Sequence, residues 1–250
     1  MSEIPHKIHY CWFGRNSLPD SAQKCIASWK KYFPDYEIVE WNEDNYDVNI
    51  IPYTKQAYAE KKYAFVSDYA RFDILYRYGG VYFDTDVEVI KSFDDILGQG
   101  SFMGCEIDGK LSESDNVDTG IAVAPGLGIA ANPGLGIYKE ILDFYKNQNF
   151  LLKSGEYNLE TVVSYTTQIL LKYGMKNIKG IQKVNEITIF PKEYFNPLNS
   201  LTGELELTEN THSIHWYTMS WLSSNQKIRT KITRLFHRIF GVNCFAFLKK

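Results

Sequence analysis

Ile4 to Phe13 alternates loosely between apolar and polar positions and ends at Gly14, which predicts a strand followed by a loop. Asp20 or Ser21 can cap a helix running to about Phe33, where Pro34 stops it. Tyr36 to Trp41 alternates again and predicts a second strand. Strand, helix, strand is a βαβ unit, which implies a parallel pair and α/β architecture. Residues 54–78 read as one long helical stretch, with Phe65, Tyr69, Phe72 and Tyr76 along one face. Gly79-Gly80 ends it. Val81 to Phe83 reads as a buried strand entering Asp84-Thr85-Asp86, and Val87 and Val89 continue the alternation. Further strands are expected over 101–107, 120–124, 187–190 and 212–217, and helices after Asn132-Pro133-Gly134 and near 158–173.

A chain of 250 residues makes one large domain or two small ones at roughly 100–200 residues each. The hydrophobic share of 44% excludes a disordered chain, and 17 Gly with 8 Pro exclude a collagen-like one. No stretch approaches the ~20 apolar residues of a membrane span. The opening MSEIPHK has no basic region leading into an apolar one, so a cytoplasmic location is expected. A net charge of −3 gives no reason to expect a nucleic-acid partner. Cys11, Cys25, Cys105 and Cys244 form no CxxC pair and are expected to be unpaired thiols.

Charge placement changes this picture. Residues 1–223 hold 20 basic and 30 acidic residues, a net −10, whereas seven Lys and Arg fall between Lys227 and Lys250 with no acid after Glu209. Ile228, Ile232, Leu235 and Ile239 recur there at helical spacing. The chain thus divides into a body, 1–223, and a basic amphipathic tail, 224–250. Such a helix suits an anionic membrane surface. The simpler reading packs its apolar side on the body and leaves its basic side in water.

The candidate chemistry centres on Asp84-Thr85-Asp86. Residues i and i+2 of a strand point the same way, so two carboxylates at a strand end can converge on one hard cation. Mg²⁺ or Mn²⁺ favours such oxygens, completed by substrate phosphates. Asp68 and Arg71 share a helix face. They form either a local ion pair or a holder of sugar hydroxyls. One helix and a tight turn bring Asp68 to the same sheet end as Asp84. Tyr10-Cys11-Trp12-Phe13 closes the first strand, where Trp12 is either a rim aromatic or a stacking platform for a flat base. His215 is either structural or a late metal ligand, with Ser220-Trp221 beyond it.

IPHKIHYCWFG at 4–14, AFVSDYARFDILYRYGGVYFDTDVEVIKSF at 64–93 and HSIHWYTMSW at 212–221 resemble glycosyltransferase family 32, the sugar transferases with a DXD motif. The resemblance implies a GT-A type nucleotide-sugar-binding fold with a mostly parallel central sheet. The related glucosylating bacterial toxins share the middle block. By that likeness Trp12 would stack on the nucleobase, with Tyr10 and the Cys11 backbone beside it. Ser67 and Asp68 would lie near ribose and donor sugar, Arg71 would hold donor hydroxyls or phosphate, and Asp84 would contact ribose or sugar. Asp86 would bind Mn²⁺ (or Mg²⁺), with Asp84 and His215 as further ligands. Asn116 and Asp118 would lie beside the anomeric carbon, and Ser220 and Trp221 would close over the β-phosphate. The catalytic set is Asp68, Arg71, Asp84 and Asp118.

The expected activity is retaining, metal-dependent transfer of a hexose from a UDP-sugar, UDP-galactose favoured. The expected acceptor is a lipid-linked (polyprenyl-diphosphate) oligosaccharide of a capsule or similar surface polysaccharide, reached from the inner membrane face. Two other classes compete. A haloacid-dehalogenase-type phosphatase needs Thr or Val where this chain has Glu88. A non-catalytic sugar- or nucleotide-binding protein on the same fold would not need Asp68, Arg71, Asp84 and Asp86 together.

Overall fold

The central strand β1 (Lys7–Cys11) is buried on both faces after Lys7, because each of its side chains has a layer to enter. Ile8 and Tyr10 join one apolar cluster and Cys11 joins the other, as the two-residue period requires. The expected strand from Ile4 is shortened by a turn in which Lys7 N–H donates to the Pro5 carbonyl. The computed structural model describes residues 3–112, 120–218, 224–241 and 244.

Helix α1 (Asp20–Tyr32) buries Ala22, Cys25, Ile26 and Trp29, one stripe at helical spacing. Asp20 in its first turn and Lys30 and Lys31 in its last complement the helix dipole. It returns the chain to β2 (Glu37–Trp41), which pairs parallel with β1, as the βαβ pattern predicts. The predicted helix over 54–78 is two helices, α2 (Pro52–Ala59) and α3 (Tyr63–Tyr78). Glu60-Lys61-Lys62 interrupts the apolar face, and Lys61 turns the backbone to φ 56°. α3 is buried nearly all round its middle, Arg71 and Asp73 included, so its periodicity in sequence is weak. Gly79 and Gly80 both take positive φ, and a Cβ on Gly80 would stand 2.7 Å from the Lys7 carbonyl, so only glycine passes here into β3 (Gly80–Tyr82).

Strands β4 (Val87–Val89), β5 (Phe102–Ile107), β6 (Ala122–Val123), β7 (Ile129–Ala131), β8 (Gln182–Val184), β9 (Ile187–Phe190) and β10 (Ser213–His215) follow, with helices α4 (Asp94–Leu97), α5 (Gly136–Lys146), α6 (Val162–Lys172) and α7 (Ser224–Phe240). The main sheet runs β2-β1-β3-β7-β5-β9-β8, with β6 on β5. Pairing is parallel through β2-β1-β3 and again at β5-β9; β6, β7 and β8 enter antiparallel. The α/β expectation holds, in a sheet that mixes parallel with antiparallel pairing. On one side α5 lies against α3 through Phe72–Tyr138 and Tyr69–Tyr145 ring contacts. β4 leaves the main sheet to pair antiparallel with β10, with His215 opposite Val87. All four cysteines are free, and Cys11, Cys25 and Cys105 are buried. Among the described residues no helix is long and apolar enough to cross a membrane.

Candidate active site

Arg71 is the hub of one half of the site. α3 carries it beneath the end of β3, and its side chain is only 4% exposed. Its guanidinium lies 2.9 Å from Asp68, one turn away, and 3.3 Å from Asp84. Its Nε donates to the Ser67 carbonyl at 3.1 Å, and its plane sits over the Tyr82 ring at 5.2 Å. The Tyr82 hydroxyl donates to Asp84 at 3.0 Å. The Asp68–Arg71 pair is therefore not a surface contact but part of a carboxylate–guanidinium–carboxylate cluster built on a buried guanidinium, with Asp84 30% exposed. Burial raises the Asp68 carboxyl to about 7 against the pull of Arg71, and Asp84 adds like-charge pressure. Burial acts to lower Arg71, but Asp84, Tyr82 and Asp68 outweigh it and keep the guanidinium charged.

Asp86 organises the other half. Asp84 to Asp86 forms a turn, closed by Val87 N–H donating to the Asp84 carbonyl, instead of continuing the strand. The two carboxylates therefore reach different partners. Asp86 Oδ1 lies 3.0 Å from His215 Nε2, and Asp86 Oδ2 accepts from the Thr218 N–H at 2.9 Å and its hydroxyl at 3.1 Å. Burial acts to raise Asp86, but His215 and Thr218 outweigh it and hold the carboxyl at about 2. Burial acts to lower His215, and Asp86 reverses this to a raised value. The His215 ring also meets Tyr217 edge-on at 4.2 Å, and the Tyr217 hydroxyl donates to Glu106 at 3.2 Å. Tyr217 has φ 49°, a left-handed conformation that costs a non-glycine residue energy.

Among the described residues no group of three or more His, Cys, Asp or Glu side chains is placed to hold a metal. Asp86 and His215 nonetheless suit a cation that also takes phosphate oxygens. Asp86 Oδ1 and His215 Nε2 meet at 3.0 Å as an ion pair, and to hold a cation the imidazole would have to give up the proton on Nε2. His215 Nδ1 is buried without a hydrogen-bond partner. A carboxylate and an imidazole are donors that Mn²⁺ accepts. Asp84, bound to Arg71 and Tyr82, stands beside this pair and not within it.

The remaining expected residues divide. The Cys11 side chain is buried near Arg71, and burial pushes its thiol to about 12, so it stays protonated and inert. Tyr10 points into the opposite layer, where its hydroxyl donates to Glu40 at 2.6 Å, so its side chain is apart from the acidic cluster. Trp12 is half-buried at the end of β1, and its indole N–H donates to the Asn16 carbonyl at 2.7 Å. It borders a depression lined also by Arg15, Glu40, Asn42 and Asp44. The Ser67 hydroxyl is turned back to the Tyr63 carbonyl at 3.2 Å. Asn116, Asp118, Ser220 and Trp221 lie outside the described residues.

Sequence reasoning missed Tyr82, Gly126, Thr218, Glu106 and Tyr217. Tyr82 was open to discovery, since it sits two residues before Asp84 along an alternating run. Gly126 comes from a turn at Pro125–Leu127, and a Cβ there would stand 2.1 Å from Asp84 Oδ2. Nothing local marks it.

Residues 19–103 match the family described as glycosyltransferase sugar-binding region containing DXD motif. Over 114 residues the chain is 29% identical to inositol phosphoceramide mannosyltransferase 1 of Schizosaccharomyces pombe, covering 41% of this chain and 34% of that protein. It is 32% identical over 98 residues to inositol phosphoceramide mannosyltransferase 3 of the same organism, covering 38% of this chain and 27% of that one. The match thus spans about a third of one of these relatives and about a quarter of the other. Among solved structures the PaToxG glycosyltransferase superposes with TM-score 0.48 at 20% identity, over 68% of this chain and 69% of that one.

Proposed function

We infer that this chain, whose residues 19–103 carry the DXD-containing sugar-binding region of a glycosyltransferase family, transfers a hexose from a nucleotide sugar to a carbohydrate acceptor. The observation that carries the reading is the Asp68–Arg71–Asp84 cluster set beside the Asp86–His215 pair. Buried charge of this kind suits a polyhydroxylated, anionic donor, and clustered perturbed groups mark functional sites. Asp86 and His215 would hold the divalent ion, which supplies Lewis-acid stabilisation to the leaving diphosphate. Arg71 is charged and fixed by two carboxylates, so it can orient donor oxygens without reorganising. Asp68 and Asp84 present carboxylates to sugar hydroxyls. Trp12 would meet the nucleobase from the edge of the depression it lines.

The reaction is retaining. The acceptor hydroxyl oxygen bonds the anomeric carbon on the face from which the diphosphate oxygen departs, and the hydroxyl proton passes to that departing oxygen. UDP-galactose is the favoured donor. The acceptor is a polyprenyl-diphosphate-linked unit of a surface polysaccharide such as a capsule.

A thermal-shift series with nucleotide sugars, with and without Mn²⁺, tests the donor reading, because a ligand of the folded state raises the melting temperature by mass action. The expected result is a shift with one UDP-sugar that needs Mn²⁺ and disappears in Asp86→Ala. No shift with any nucleotide sugar would overturn it. A shift without donor hydrolysis or transfer would instead favour a binding protein on the same fold.

A further inference from the structure

His212 is a buried titratable group outside the site around Arg71 and Asp86, 1% exposed and three residues before His215. Its backbone is tied on both sides. The N–H donates to the Tyr194 carbonyl at 2.8 Å, and the carbonyl accepts from Ile90 at 2.9 Å and Lys91 at 3.2 Å. The ring lies parallel to the Tyr194 ring at 5.8 Å and edge-on to Phe93 at 5.4 Å. Both ring nitrogens end on oxygens. Nδ1 is 2.6 Å from the Asn210 carbonyl, and Nε2 is 2.9 and 3.2 Å from the two carboxylate oxygens of Asp95 on α4. A carbonyl and a carboxylate accept hydrogens and offer none, whereas a neutral imidazole has one hydrogen for its two nitrogens. Only an imidazolium satisfies both contacts. The surroundings suit a cation. Burial, with Glu193 and Asp95, raises Tyr194 and keeps it a neutral phenol, and aromatic rings attract positive charge. Lys91 commits its ammonium elsewhere, to the Glu209 carbonyl at 2.9 Å.

We propose that His212 is an imidazolium clamped between Asn210 and Asp95, and that this clamp is the positioning device that sets β10, and with it His215, beside Asp86. An ion pair between two exposed groups contributes little. Here the cation is enclosed, and removing its counter-charge leaves a buried charge unpaired. Among the described residues β10 has three positions and pairs with β4 alone, so its register depends on a fixed end. Ser213 follows the clamp directly and stands opposite Val89, which puts His215 opposite Val87, the neighbour of Asp86. A slip of one residue would turn His215 to the other face. The clamp acts through His215 and touches no donor atom, so only its consequence for catalysis rests on the function proposed above.

The test is a ring-nitrogen NMR spectrum of the isotope-labelled full chain at neutral pH, with the five histidines assigned by single His→Gln substitutions. Both His212 nitrogens are expected to carry hydrogen, and one bare nitrogen in the folded parent would overturn the proposal. In Asp95→Asn the His212 ring is expected to give up one hydrogen and the His215 signals to shift, while those of His9, on β1, stay in place. A general loss of structure would move all of them together. Unmoved His215 signals in folded Asp95→Asn would equally overturn the proposal, and the parent spectrum decides even if that variant melts early. Donor hydrolysis gives a second readout, in which Asp95→Asn is expected to need about tenfold more Mn²⁺ for half its maximal rate. A parent without Mn²⁺-dependent hydrolysis would count against the donor reading alone and leave the nitrogen spectrum to decide the clamp.

Discussion

Gly126→Ala adds one methyl group at the point where the catalytic reasoning is most exposed. Gly126 does not occupy the left-handed region, so alanine suits its backbone, and the whole effect comes from contact. The new Cβ would stand 2.1 Å from Asp84 Oδ2, 3.1 Å from Asp84 Cγ and 3.4 Å from Arg71 Nη1. Carbon and oxygen need a separation near 3.4 Å, so the carboxylate must retreat by more than about 1 Å. The two backbones cannot simply part, because Asp84 N–H donates to the Gly126 carbonyl at 3.2 Å. Oδ2 must therefore swing away, and that turn of the carboxylate pulls Oδ1 from Arg71 at 3.3 Å and the Tyr82 hydroxyl at 3.0 Å. A lost hydrogen bond to a charged group costs about 1.5–3 kcal/mol, so the variant folds but melts earlier. Misplacing a reacting group by about 1 Å can lower a rate by roughly 10²-fold, or ~2.7 kcal/mol in the barrier. Donor hydrolysis and thermal unfolding are to be measured on this variant and on Gly136→Ala. Gly136 opens α5 with nothing within 4 Å of its Cβ, so that control keeps full activity and stability. Hydrolysis by Gly126→Ala within about threefold of the parent, at an unchanged melting temperature, would refute the placement of Asp84.

Three further outcomes follow from the same geometry. Arg71→Gln leaves Asp68 and Asp84 without their cation in a buried place, and should cost about 3–5 kcal/mol in urea unfolding; a loss below about 1 kcal/mol would mean that water already screens the cluster. Tyr217→Phe removes the bond to Glu106 that steadies the ring against His215, and should lower Mn²⁺-dependent donor hydrolysis about tenfold with little change in melting temperature, whereas an unchanged rate would show that Tyr217 has no positioning role. His9 is buried, and burial lowers its pKa from 6.5 to about 4 despite the bond from its Nε2 to the Gly79 carbonyl. Between these values the unfolded chain binds the proton and the folded chain does not, so stability is complete above pH 6.5 and falls as pH drops toward 4, by roughly 3 kcal/mol. The urea midpoint should fall over that range in the parent and fall less in His9→Gln; parallel pH profiles for the two would exclude His9 as the source.

The β1-α1-β2 unit was legible because alternation, a Pro stop and a helical stripe each act within a few residues. The Asp68–Arg71–Asp84 group was legible for a related reason. Two of its members share a helix face, and the Gly79-Gly80 turn fixes where the third arrives. The break at Glu60-Lys61-Lys62 was not, because charged residues also fit the exposed side of a continuous helix and no Gly or Pro marks the turn. β7 is three apolar residues without alternation, Ile129–Ala131, and gave no strand signal. The partners of Asp86 were the least legible. Thr218, Tyr217 and Glu106 come from distant segments, and their joint arrival depends on β4 leaving the main sheet for β10. The carboxylate pair was expected to converge from a strand, but the turn at Asp84–Asp86 sends one toward α3 and the other toward β10.

That division bears on how the site can work. Asp84 belongs to a cluster held within the body by Arg71, one cation shared between two carboxylates. Asp86 depends on a short two-strand ribbon, β4 with β10, and on the residues that follow it. A perturbation that loosens β10 should therefore weaken the Asp86 side alone and leave the Asp68–Arg71–Asp84 cluster intact.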